Sequence, residues 1–166
     1  MGIAFLYGWS GSLAIDVFAV ALASPDPLAL AGVALVTAAL FLKAAVVPLH
    51  AWAPDAYEGA SAPVTAYMAT IIKAGVLLAA LRVFDTAPVM LPVAGLIAAL
   101  PLVSMAWGNL AAMRQTSFRR MIAYSSIAHA GYLFYALLGA GAGRWEAIVF
   151  YLIAYGLMNV LAFAAL

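Results

Sequence analysis

The sequence predicts an all-α fold, a polytopic bundle of transmembrane helices, and three observations predict it. Of 166 residues, 69% are hydrophobic and 8% charged, against about 25% charged in an ordinary globular domain. Mean hydropathy is +1.13. Apolar stretches near the ~20 residues that a helix needs to cross a hydrocarbon core recur along the chain, and none alternates with the period of two that marks a strand. A lipid bilayer is therefore the surrounding that the composition demands. The formal net charge of +1 gives no basic surface for nucleic acid. The absence of cysteine excludes disulfides, thiolate metal sites and cysteine-held clusters within this chain.

The elements follow in order. Residues 1–9 are a short apolar piece, part of a helix, without the preceding Lys or Arg of a signal peptide. Residues 8–27 form a turn-rich connection with a short interfacial helix at 15–23. Pro27 suits the first turn of the next helix, where its missing N–H is not needed. Residues 28–57 read as one helix broken near Pro48, because a proline cannot donate to the carbonyl four residues back and its ring crowds that carbonyl. Residues 64–84, 89–108, 119–140 and 146–166 are further helices. Residues 85–88 form a tight link, 109–120 a basic link and 139–145 a Gly-rich turn. This gives about five complete spanning helices plus part of another, in one domain covering 1–166. The chain ends VLAFAAL without a polar flank, so it reads as an internal piece of a longer bundle. Arg114, Arg119 and Arg120 place their link on the cytoplasmic side, and the polar stretch 50–63 falls on that side too.

Ionisable residues inside apolar helices carry the chemistry. FLKAAVVPLHAW, residues 41–52, sets Lys43 in oil, five residues before Pro48 and seven before His50. At ~1.5 Å per residue, Lys43 lies about 22 Å from the outer end of its helix, and Lys73 about 14 Å from the cytoplasmic end of the next. The helices run antiparallel, so both amines fall at similar depth near the membrane centre. Each costs ~2.5–3.5 kcal/mol there on insertion scales, and none of the six acidic residues shares their depth. A proton pathway is the favoured reading, ahead of snorkelling or structural pairing. The carbonyl freed before Pro48 needs water or a polar side chain, which predicts a wet break beside Lys43. His50, titrating near neutrality, is as readily a hydrogen-bonded helix end as a relay.

His129 lies in YSSIAHAGY, residues 124–132, where small and hydroxylic residues favour helix packing; a relay is the sharper alternative. Asp55 and Glu58, in PDAYEGASAP, are a solvated face or a proton entry funnel. Two distant histidines without an acidic neighbour at ligand spacing give no metal site. No phosphate loop and no Ser/His/Asp set occurs.

VPLHAWAPDAYEGASAPVTAYMATIIKAG with the preceding FLK, and GNLAAMRQTSFRRMIAYSSIAHAGYLFYALLG, closely resemble the subunit N family of the proton-pumping NADH:quinone oxidoreductase, respiratory complex I, called subunit 2 in mitochondria. The resemblance covers most of the chain. It implies a bundle of about fourteen helices with two inverted repeats, of which this sequence is similar to the end of the sixth helix through the eleventh. It further implies that Lys43 is the essential lysine of the broken helix, that Lys73 passes protons onward, and that His50 and His129 are the histidines of the two motifs. The family's glutamate partner of Lys43 would lie before Met1 and its second broken-helix lysine beyond Leu166. Ser61 stands where the family usually has proline. The implied role is proton translocation coupled to quinone reduction, within a non-redox translocase subunit of the bacterial plasma membrane. Other membrane subunits, lipid, water and protons would be its partners, with FMN and iron–sulfur clusters held in other subunits. A subunit of a multi-subunit sodium/proton antiporter is the alternative, and a structural scaffold with inert lysines a third reading.

Overall fold

The structure, a computed structural model, describes the backbone of residues 1–85, 93–137, 139 and 143–165. All of it is helix or connection, with no strand among the described residues. The helices are α1 (Gly2–Ser10), α2 (Asp16–Ala23), α3 (Pro27–Ala44), α4 (Trp52–Gly59), α5 (Ala62–Tyr67), α6 (Lys73–Asp85), α7 (Val93–Ala112), α8 (Phe118–Ala136) and α9 (Arg144–Ala164). A π-helical turn, Met68–Ile72, joins α5 to α6, so Ala62–Phe84 runs as one rod. The predicted link at 85–88 and helix start at 89 lie mainly outside the described residues, as does most of the 139–145 turn.

Three of these helices are long and apolar enough to cross a membrane: Pro27–Ala44, Ala62–Phe84 and Arg144–Ala164. The sequence count of about five is larger. α8 has the length, at 19 residues, but its hydroxyls, His129 and two arginines dilute its hydropathy. In α7 the described apolar part is Ala98–Ala112.

α3 begins as its sequence dictates. Asp26 caps it, its Oδ1 accepting from the N–H groups of Leu28 at 2.8 Å and Ala29 at 3.4 Å, with Pro27 in the first turn. Its end differs from the expectation. The helix stops at Ala44, four residues before Pro48, because Ala45 turns left-handed with φ 63° and ψ 43°. The Ala45 N–H then reaches the Leu42 carbonyl at 3.2 Å and the Val46 N–H reaches that of Phe41 at 2.9 Å, the pairing that usually recruits glycine. An alanine there is strained. Tertiary packing holds it: Ala45 is fully buried with Ala53 of α4 and Ile127 of α8.

The main core gathers Phe18 of α2, Val33 and Phe41 of α3, Leu77 and Leu81 of α6, Phe134 of α8 and Ile148 of α9. Phe41 and Phe134 meet edge to face at 5.1 Å. α7 and α8 form the tightest pair. A Cβ on Gly131 would stand 2.6 Å from the Pro101 carbonyl oxygen, and one on Gly108 would stand 2.6 Å from the Ala128 nitrogen. Glycine is required at both points because backbone meets backbone. Large apolar side chains stay exposed on the outer faces, among them Phe150, Ile153 and Leu161 of α9.

Candidate functional site

Lys73 opens α6 immediately after the π turn. A π turn holds one residue more than an α turn, which swings the following side chains by about 100° relative to an unbroken helix. Lys73 is thereby turned into the bundle, where it is 5% exposed. Its Nζ donates to the Ser126 carbonyl oxygen at 2.5 Å and to the Ser126 hydroxyl. A buried ammonium needs compensation, and here two oxygens of one serine supply it in place of a carboxylate. The ion pairs given by the described residues belong to Arg120. Among the described residues the amine is held by neutral oxygens, which compensate its charge weakly.

α8 supplies the opposite wall. Ser126 and His129 are three residues apart and share one helix face. His129 Nδ1 and the Tyr151 hydroxyl are 2.6 Å apart. The rings of Tyr155, Tyr151 and Tyr132 surround the imidazole at 4.9, 5.9 and 6.0 Å. His129 is thus packed among tyrosine rings and hydrogen-bonded to one of them, one helical turn from the serine that holds Lys73. Tyr57, Tyr151 and Tyr155 carry no sequence mark of this placement, because Tyr57 comes from α4 and the other two from α9. The hydroxyl-rich stretch 124–132 was the one available signal for Ser126.

Lys43 sits elsewhere. It occupies the last turn of α3, is exposed, and makes no hydrogen bond among the described residues. It lines an open groove of about 450 Å³ together with Val36 and Ala39 of α3 and Gly75, Val76 and Ala79 of α6. The two lysines thus lie on neighbouring helices within a few turns. One faces an open groove and the other the interior.

His50 follows the break. Its Nε2 accepts from the Trp107 indole of α7 at 3.0 Å, which assigns the ring proton of the neutral form to Nδ1. Nδ1 is itself buried without a partner among the described residues. Protein groups brace the break. The Trp52 indole donates to the Leu42 carbonyl at 2.9 Å, and the Val47 N–H donates to Ser104 Oγ at 2.7 Å.

Asp55 and Glu58 of α4 both hold Arg120 of α8, at 2.7 and 2.9 Å, and Arg119 donates to the Ala60 carbonyl at 3.1 Å. They form an ion-paired surface clamp between α4 and α8. The hydrogen bond from Arg120 holds the Glu58 carboxyl below its usual range. A depressed carboxyl stabilises the fold above its unfolded value of about 4.3 and loses that contribution as pH falls through the folded value. Arg120→Gln should lower thermal stability slightly at neutral pH, as befits exposed charges, and not at all below the glutamate range. Equal destabilisation at both pH values would refute the clamp. No group of three His, Cys, Asp or Glu among the described residues is arranged to hold a metal.

Comparison with known proteins fits this architecture. The family described as NADH:quinone oxidoreductase/Mrp antiporter, TM, matches residues 1–166. NADH-quinone oxidoreductase subunit N of Pelobacter propionicus is 41% identical over 163 residues, 98% of this chain and 35% of the relative. A chain of respiratory complex I from Thermus thermophilus, also 41% identical, superposes with a TM-score of 0.80 over 98% of this chain and 35% of that one. A chain of the Mrp complex from Dietzia is 27% identical with a TM-score of 0.82, over 98% and 30%. The chain thus spans about a third of the length of the curated relatives it matches. With the family matched over all 166 residues and a relative 41% identical over 98% of the chain, the chain belongs to the NADH:quinone oxidoreductase/Mrp antiporter transmembrane family.

Proposed function

We propose that this chain is the central part of a membrane-arm subunit of a bacterial proton-pumping NADH:quinone oxidoreductase, a multi-pass plasma-membrane protein in which α7 and α8 also span. The observation that carries the proposal is Lys73, an amine buried in an apolar rod and held, among the described residues, by the oxygens of one serine. Lys43 stores a proton in its open groove, where the charge of a neighbouring group tunes its affinity. Lys73 passes protons laterally. His50, at the Pro48 break, leads toward the cytoplasmic side. His129, joined to Tyr151, is the weaker branch. Electron transfer belongs to other subunits, which carry the FMN, the iron–sulfur clusters and the quinone chemistry. Partner membrane subunits complete the arm.

The test is Lys73→Ala in the full-length subunit of the assembled complex, reconstituted in vesicles. Pumping should fall severalfold per NADH oxidised while the complex still assembles. Unchanged pumping would end the relay assignment. The second reading, a subunit of a sodium/proton antiporter, is favoured by the superposition on the Mrp chain. The higher identity to subunit N, 41% against 27%, supports the first. Sodium-dependent proton release without NADH would reverse that preference.

A further inference from the structure

The Lys73 amine touches a hydroxyl that touches another. Ser126 is 2% exposed and Tyr57 1%, and the Tyr57 hydroxyl lies 3.2 Å from Ser126 Oγ with either atom free to donate. Three elements thus converge on one serine: α6 through Lys73, α8 through Ser126 itself and α4 through Tyr57. A fourth stands by. The Tyr155 hydroxyl of α9 lies near Ser126 and Asn159, yet is buried without a well-formed hydrogen bond.

The direction of this chain follows from donor chemistry. An ammonium has donors and no acceptor. When Lys73 is charged, Ser126 Oγ must accept from it, and the serine hydrogen is free to point at Tyr57 Oη. When Lys73 is neutral, its nitrogen carries a lone pair and the serine hydroxyl can turn to donate to it. Tyr57 then donates to Ser126 Oγ. The charge on one amine thus decides whether both hydrogen bonds can reverse: an ammonium fixes Ser126 Oγ as its acceptor, and a neutral amine lets the pair turn round.

We propose that Ser126 is a positioning residue for Lys73, and that with Tyr57 it forms a hydroxyl pair that reads the lysine's charge and carries it to α4. This rests on the assignment of Lys73 as a proton carrier. It goes further by naming the groups that hold the amine and the element that senses it. The rest of α4 suits the task. The Tyr57 carbonyl accepts from Thr65 Oγ1 at 3.3 Å, and Asp55 and Glu58 on either side fasten the same helix to Arg120. A change at Ser126 therefore bears on a helix anchored at the basic link.

The experiment compares Ser126→Ala, Ser126→Thr, Tyr57→Phe and Lys73→Ala, singly and with Ser126→Ala and Lys73→Ala combined. All are made in the full-length subunit of the assembled complex in vesicles, with pumping read per NADH oxidised. Ser126→Ala should lower pumping about tenfold and Tyr57→Phe about threefold, the scales of a charged and a neutral hydrogen bond. Ser126→Thr, which keeps the hydroxyl, should restore pumping. The combined variant should pump no worse than Lys73→Ala alone, since Ser126 acts through that amine. A structural role would instead add its own loss. If Lys73→Ala lowers pumping and Ser126→Ala and Tyr57→Phe do not, the hydroxyl pair is refuted and the lysine stands. If Lys73→Ala pumps normally, the underlying reading fails. Should Ser126→Ala not assemble, Tyr57→Phe decides: normal pumping refutes the pair.

Discussion

Lys43→Ala in the full-length subunit is expected to abolish most proton pumping while leaving the complex assembled. Lys43 is exposed in a groove and makes no hydrogen bond among the described residues, so its removal leaves none of them without a partner. A large functional loss with intact assembly is the signature of a residue retained for chemistry. Lys43→Arg separates charge from proton exchange, because a guanidinium keeps its charge and does not release its proton. If storage is the role, arginine fails as alanine does. Pumping by the arginine variant would mean that a fixed positive charge suffices. The measurement is acidification of vesicles per NADH oxidised, with native electrophoresis as the check on assembly.

The other large effect is on stability. Gly131→Leu should prevent α7 and α8 from closing, and Gly131→Ala alone should cost about 1–3 kcal/mol or more. A Cβ at Gly131 meets the Pro101 oxygen at 2.6 Å and the Met105 nitrogen at 3.0 Å. These are backbone atoms, so no side chain can swing aside. Gly108→Ala meets the Ala128 nitrogen at 2.6 Å and the Tyr124 oxygen at 2.8 Å and should behave alike. Gly156→Ala is the control: nothing lies within 4 Å of its Cβ position, and alanine favours a helix interior by up to ~1 kcal/mol. Thermal unfolding in detergent and the yield of assembled complex should separate the pair from the control. Equal tolerance at all three positions would show that the α7–α8 contact is looser than described.

Helix type and order were legible because apolar runs of membrane length leave little else for the chain to do. Asp26 and Pro27 announced the start of α3, and FLKAAVVP announced a break. What sequence could not show was contact between distant residues. Lys73 looks unpaired in a sequence with no carboxylate at its depth, and its partner is a serine 53 residues on. The left-handed turn at Ala45 has no sequence mark, since the residue that favours it is glycine. The π turn before Lys73 was equally silent: MATII carries the pattern of any apolar helix. The brace at the break is equally unmarked: the Trp52 indole reaches the Leu42 carbonyl from ten residues ahead, a contact across the loop that no spacing announces.

That indole has a mechanical meaning. By bonding Leu42 next to Lys43, Trp52 ties the tail of α3 to the head of α4 across the interruption. Val47 pins the intervening loop to Ser104 of α7. A helix break of this kind is a joint stapled on both sides: the residue next to Lys43 and the loop beyond it are each bonded to a side chain of another helix.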